Sequence, residues 1–344
     1  MSSEILDRRD IYPTLNPYFT PVEISPNEVQ FRAGPWSGPV YDIRDEDEDD
    51  QLASVIERFD GNHHIEDIIE RVPDIDESDL LGILVSVYEK GIVYLRENGP
   101  REETPLFAYL SLHPRLTTDG MDRLRSSAVL VIALGTVGGH LVDDLAALGV
   151  EQLGVAGETP GDLPASAEHI DPTTWPTRVG SFDVVVYLED TPHPRQLVEL
   201  NDVTHDAGIP WTSGRILGFD GLIGPTIFPG ETHCYECFTQ RARATIPQPD
   251  RYTQFAEAHA SEVPTIPAFD HIVSGFLEIE VVNVLTTGFG NTVGNIVHVD
   301  FQSMAIESNQ VLPLPRCPVC STANRNDVNR LTSLDRIVSD WQGE

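Results

Sequence analysis

Lysine is almost missing from this chain. Among 22 basic residues only Lys90 is a lysine, against 55 acidic ones, for a formal net charge of -33 over 344 residues. A surface this acidic repels phosphate backbones and anionic lipid, so nucleic-acid binding and membrane-surface binding are both excluded as expectations. Long apolar runs are also lacking. The longest, Ala128-Val129-Leu130-Val131-Ile132-Ala133-Leu134, falls far short of a membrane span. The first residues, Met1-Ser2-Ser3-Glu4-Ile5-Leu6-Asp7-Arg8-Arg9, show no apolar core behind a basic start, so no signal peptide is expected. Cysteine is scarce too, with four in all.

What is there begins with those four cysteines. They form two C-x-x-C pairs, Cys234-Tyr235-Glu236-Cys237 and Cys317-Pro318-Val319-Cys320. Two intervening residues let both sulfurs of a pair face one ion, and two such turns complete a tetrahedral cage of the kind Zn²⁺ prefers. Redox dithiols or a disulfide would use the same residues. Two pairs with no thiol left over favour a closed, structural zinc that clips a remote segment onto an earlier loop. Free thiols at metal spacing suit a reducing compartment, and the expectation is a cytoplasmic protein. The acids are spread along the chain and do not form a tail. This lysine-poor surface resembles that of proteins from salt-loving microbes, a haloarchaeal-type composition whose self-repulsion is screened by salt.

The pattern divides into segments at 1–100, 101–125, 126–321 and 322–344. In the first, Tyr18–Ile24, Glu28–Arg32 and Val40–Ile43 read as strands. Three helical patterns follow, through Leu52, Val55, Ile56 and Phe59, through Ile65, Ile68, Ile69 and Val72, and through Leu80, Leu81, Leu84, Val85 and Tyr88. Ile92–Leu95 closes the unit as a strand. This is an α+β, winged-helix layout. DNA binding, its commonest use, conflicts with Asp76, Glu77, Asp79 and Glu89 on the third helix. The runs Phe59-Asp60-Gly61, Ile65-Glu66-Asp67-Ile68 and Glu89-Lys90-Gly91-Ile92-Val93 resemble the PqqD-like domain, the RiPP recognition element. The resemblance implies that a precursor-peptide leader adds as a strand beside Val40, Tyr41, Asp42 and Ile43 and packs on Leu81, Leu84, Val85 and Tyr88. Segment 101–125 reads as a connector with short helices at Leu106–Leu112 and Met121–Leu124.

From Ala128 the alternation is strand, glycine turn (Gly135-Thr136-Val137-Gly138-Gly139), helix (Leu141–Gly149), then strands at Gln152–Ala156, Phe182–Leu188 and Pro210–Gly214. That is a Rossmann-like, doubly wound α/β unit in which Gly135, Gly138 and Gly139 let backbone N–H groups approach a phosphate. An apolar helix over Ala268–Leu285 and strands at Asn295–Phe301 and Met304–Val311 follow. The order of glycine turn, Asp-Val-Val-Val strand, Gly221-Leu222-Ile223-Gly224-Pro225, C-x-x-C, apolar helix and C-P-x-C resembles the ThiF/MoeB adenylating enzymes of the ubiquitin-activating superfamily. The resemblance implies the Cys₄ zinc, ATP with Mg²⁺, and an Asp after the third strand, which falls on Asp190. It also implies ligands that are altered or missing here. The loop is not G-x-G-G-x-G, Glu158 is shifted from the ribose-binding place, Asp162-Leu163-Pro164-Ala165-Ser166 lacks an Arg-Gln partner, and Lys90 lies in the other segment. No cysteine is free for a thioester, and His63, His64, His140, His193 and His233 read as surface or core residues.

A degenerate ThiF-like segment behind a leader-binding one resembles the cyclodehydratase partner proteins of azole and azoline peptide biosynthesis. They imply a ribosomal precursor peptide and a YcaO-family enzyme as partners, no catalytic residue in this chain, and often a homodimer. The alternative is an active adenylating enzyme acting through Asp190 on the C-terminus of a ubiquitin-like or sulfur-carrier protein. Leu331, Leu334, Ile337, Val338 and Trp341 space as an amphipathic helix, suited to docking a partner or to self-packing.

Overall fold

Alternation builds the first strands, β1 (Tyr12–Leu15), β2 (Thr20–Ser25), β3 (Glu28–Arg32) and β4 (Val40–Arg44). The computed structural model describes residues 9–36, 38–45, 52–72, 75–96, 106, 109–110, 120–157, 162–251, 254 and 265–321. The expected helix over Leu106–Leu112 lies largely outside these residues; Glu158 and the expected tail helix lie wholly outside. Two compact units divide the chain, Met1–Leu116 and Thr117–Glu344.

In the first unit β2, β3 and β4 form an antiparallel meander whose inward residues are Val29, Phe31 and Ile43. Three helices follow: α1 (Leu52–Ile56), α2 (Ile65–Arg71) and α3 (Glu77–Glu89). Their apolar faces supply Leu52, Val55, Ile65, Ile68, Leu80 and Leu84 to one core with the sheet. Glu77 and Asp79 occupy the first turn of α3, where the helix dipole favours acids. The closing strand β5 (Val93–Arg96) pairs antiparallel with β1, with Tyr12 opposite Arg96. The sequence reading omitted β1, a four-residue strand interrupted by Pro13, whose pairing partner lies some eighty residues on.

The second unit starts with α4 (Gly120–Ser126) and β6 (Ala128–Leu134). It continues through α5 (Gly139–Ala147), β7 (Gln152–Gly157), β8 (Ala167–Ile170), α6 (Trp175–Arg178), β9 (Val184–Glu189) and α7 (Pro194–Ala207). Then come β10 (Trp211–Leu217), β11 (Asp220–Ile223), α8 (Tyr235–Thr245), α9 (Pro267–Thr287), β12 (Asn295–Asp300) and β13 (Ala305–Gln310). The sheet order is β13-β12-β11-β10-β9-β6-β7-β8. Strands β6 to β10 run parallel, and β11, β12 and β13 extend the sheet antiparallel. β9 is buried along its whole length and β6 along all but its last residue, as central parallel strands covered on both faces must be. Strand order reverses between β6 and β9, and a crevice forms at the carboxyl ends of such strands.

Helix α9 packs on β9, β10 and β11 and against α4 and α5. Gly214 on β10 permits this, since a Cβ there would lie 2.5 Å from Leu277 Cδ1. This helix is a core helix, as its nearly apolar sequence predicts, but it also buries polar groups. Asp270, Glu280 and Asn283 are buried on it, while Ile279 is exposed. Glu280 points its carboxyl group inward, where Thr226 Oγ1 (2.5 Å), Asn291 N (2.7 Å), Thr292 Oγ1 (2.8 Å) and Thr292 N (3.0 Å) all donate to it.

Candidate functional site

The four cysteines meet in space. Cys234 is the N-cap of α8 and Cys237 lies in its first turn, which sets their sulfurs 3.9 Å apart. The second pair arrives after β13 and puts Cys317 Sγ 3.5 Å from Cys234 and Cys320 Sγ 3.5 Å from Cys237. All four sulfurs lie within 4.8 Å of one another and all four residues are buried, so the set could hold one metal ion. No pair is at the bonded distance of about 2.05 Å. Four thiolates at about 2.3 Å from a tetrahedral ion stand about 3.8 Å apart, close to what is observed. Leu314 N donates to Cys237 Sγ (3.3 Å), and Arg241 on α8 donates to the carbonyls of Leu312 (2.6 Å) and Pro313 (3.1 Å). The approach to the second pair is thereby tied to the helix that carries the first. Burial pushes the Cys234 thiol up and Cys320 up to about 12, whereas N–H groups of Cys320 and Val319 hold Cys317 lower against its burial. A metal cation would reverse the upward shifts. His233 is buried beside this set; burial, aided by Arg241, lowers its pKa to about 4, so it is neutral near pH 7 and adds no charge there.

The glycine turn lies at the crevice between β6 and β9. Leu134 pairs with Glu189, which sets Gly135 beside Asp190. Gly135 has φ +104°, and a Cβ on it would fall 1.7 Å from Asp190 Oδ1. Asp190 is buried, and its Oδ2 accepts from Thr136 N (3.0 Å) and Thr136 Oγ1 (2.7 Å). Gly138, the N-cap of α5, donates its N–H to Asp270 Oδ1 at 3.3 Å, and Ser274 Oγ donates to the same oxygen at 3.0 Å. Two backbone donors at the start of α5, the groups a phosphate would use, are therefore engaged by the chain's own carboxylates. His140 stacks on His271 with ring centroids 3.8 Å apart. Beside them opens a cavity of about 410 Å³ lined in part by Thr136, His140, Asp143, Thr265, Ile266 and Asp270.

A buried polar chain runs from the cysteines toward the same crevice. Tyr235 N donates to Asn201 Oδ1 (2.8 Å), and Arg215 lies over the rings of Tyr235 and Phe238. Glu189 accepts from Tyr187 Oη (2.7 Å) and His193 N (2.8 Å). Burial raises the pKa of Glu189, opposed by the charge of Arg215.

The residues expected to meet a peptide divide by burial. β4 is an edge of its sheet, pairing only with β3 among the described residues. Val40 and Asp42 face out, Asp42 accepting from Gln30 Nε2 at 2.9 Å, and Tyr41 packs near Phe19. Val85 and Tyr88 are half-buried, while Ile43, Leu81 and Leu84 sit in the core. Of the expected nucleotide residues, Gly135 and Gly138 meet Asp190 and Asp270, and Gly139 lines the cavity. Sequence reasoning missed Asp270. The available signal was an acid near the start of an otherwise apolar helix, which burial obliges to find donors.

Residues 162–319 match the ThiF family. A sulfur carrier protein adenylyltransferase of Thermus thermophilus is 26% identical over 260 residues, covering 64% of this chain and 92% of that protein. E. coli MccB has a similar fold, with TM-score 0.66 at 16% identity over 90% of this chain and 96% of MccB. Other structures of MccB contain ATP or MccA. A heterocyclase in complex with substrate and cofactor aligns over 90% of this chain with TM-score 0.63 and 17% identity. This chain spans only 39% of that heterocyclase's length.

Proposed function

We propose that the chain is a non-catalytic scaffold that captures the leader of a ribosomal precursor peptide and presents it to a partner YcaO-type cyclodehydratase for azoline or azole formation. The observation that carries the reading is the state of the glycine turn. Asp190 and Asp270 hold the N–H groups of Thr136 and Gly138, so a triphosphate brought there would meet two buried carboxylates instead of free donors. The fold likeness supports it, because it extends over 90% of the chain and so takes in both units, in a heterocyclase and in MccB. In this reading residues 1–100 are a winged-helix, PqqD-like recognition domain, 101–125 a connector, 126–321 the ThiF-like domain and 322–344 a tail. The leader adds as a strand on β4 at Val40, Tyr41 and Asp42 and packs on Val85 and Tyr88 of α3. Ile43, Leu81 and Leu84 support that surface from beneath. The cysteine set holds structural Zn²⁺. The scaffold works in the cytoplasm, as a homodimer. Titration calorimetry with a precursor leader, in high salt, tests the reading: binding at micromolar protein is expected, and no heat counts against it.

A second reading is favoured by the likeness to the sulfur carrier protein adenylyltransferase. It is an ATP- and Mg²⁺-dependent adenylation of a sulfur-carrier or ubiquitin-like C-terminus in which Asp190 organises the metal. Pyrophosphate exchange that depends on a carrier protein would establish it and displace the first.

A further inference from the structure

The cavity in the second unit has the wrong charge for a phosphate and an unmet demand for donors. Asp270 and Asp143 line it, with His140, and no Lys or Arg does so among the described residues. Asp270 is 4% exposed. Its Oδ1 is fixed by Gly138 N and Ser274 Oγ. Its Oδ2 accepts no hydrogen bond among the described residues and faces His140 Nε2 at 3.9 Å. Thr265 Oγ1, in the same wall, is buried without a hydrogen-bond partner. The Thr265 hydroxyl is thus a buried polar group left unsatisfied, which native structures rarely tolerate, and Asp270 lines the same cavity with His140 as the ionic neighbour of its Oδ2. A cation carrying several N–H groups would satisfy both. Ile266 and Pro267 add an apolar wall for an alkyl stem. The volume of about 410 Å³ falls in the size range of small-ligand pockets, about 300–1,000 Å³.

We propose that this cavity binds an organic cation, a guanidinium or primary ammonium on an alkyl chain, with Asp270 Oδ2 and Thr265 Oγ1 as its acceptors. The proposal does not rest on leader capture by the first unit. The cation can be a free small molecule or an Arg or Lys side chain of a peptide. Titration calorimetry on the full-length protein at one fixed high salt concentration, with agmatine, with the peptide acetyl-Gly-Arg-Gly-amide and with ATP plus Mg²⁺, tests it. Agmatine or the peptide binds and ATP does not displace it; the stronger of the two identifies the source. Asp270→Asn keeps an oxygen for Gly138 N and removes the charge, and it weakens binding by about tenfold or more. Thr265→Val weakens it in the same direction and guards against a folding defect in the first variant. Glu307→Gln, which removes an exposed acid on β13 far along the sheet order, leaves binding unchanged and accounts for general attraction to an acidic protein. No binding of either cation, equal loss in Glu307→Gln, unchanged affinity in both cavity variants, or displacement by ATP overturns the proposal.

Discussion

Gly135 shows how a residue's place can be legible in sequence while its neighbours are not. A glycine after an apolar strand marks a turn, and the turn is there, at φ +104°. The sequence suggests that this glycine opens room for a phosphate. In the fold the room is filled by Asp190, whose Oδ1 lies 1.7 Å from where a Cβ would be. Gly135→Ala should therefore destabilise the protein by about 1–3 kcal/mol, from positive φ and the clash together, measured as a lower urea midpoint at unchanged slope. Asp190 was legible in place because it directly follows a strand that opens on three valines, Val184–Glu189. Asp270 was not, because Gly138, its partner beyond α9, becomes a neighbour only when α9 packs against α5. Glu278 makes a separate residue-scale prediction. Burial, then repulsion by Asp144, raises its carboxyl above the ordinary range. A raised acid favours the proton-bound fold, so its contribution is intact below the unfolded pKa and is lost as pH rises through the folded one. Glu278→Gln should match the parent protein in acid and exceed it in stability at neutral pH. Equal midpoints at both pH values would contradict the assignment.

At the scale of elements, the sequence was most informative where period and burial agree. β6 occupies the residues its apolar run marks, because a strand covered on both faces has no polar position to confuse the pattern. β8 and β11 escaped notice for the opposite reason. They are four residues each, β8 with a half-exposed pattern and β11 with Gly221 inside it, and neighbouring strands impose their extended form. The cysteine motif was legible as a pairing because spacing alone limits which thiols can meet. Its attachment to α8 through Arg241 was not, since side chain to carbonyl bonds leave no trace in sequence. That attachment yields a test. Metal analysis should find about one Zn²⁺ per chain, and Cys317→Ser or a chelator should lower the unfolding free energy, because the metal's binding energy is folding energy. The loss should appear as melting of the β13-to-α8 region, with protection of amides in β6 and β9 retained. Identical thermal unfolding with and without chelator would remove the metal from the account.

For the molecule as a whole, charge outweighs any single contact. Bridges such as Arg9–Glu77, Arg44–Glu28 and Arg178–Glu168 form on the surface, yet 22 cations cannot neutralise 55 acids. Exposed pairs of this kind contribute about 0–1 kcal/mol each, so they do not offset a net charge of -33. The remaining repulsion is long-ranged, and its reach is set by the solvent. The screening length is about 30 Å at 0.01 M salt, comparable to a domain, and about 3 Å at 1 M, shorter than most separations between carboxylates. Folding concentrates the acids, so the compact state suffers more than the unfolded chain when salt is withdrawn. The thermal midpoint should therefore climb steadily with NaCl, and the far-ultraviolet circular dichroism should lose structure in dilute buffer and regain it on adding salt back. KCl at the same ionic strength should act equally, because screening depends on concentration and valence. A midpoint and spectrum that stay constant from dilute buffer to molar salt would mean that local hydration and packing absorb the repulsion, and the acidic surface would then need another explanation.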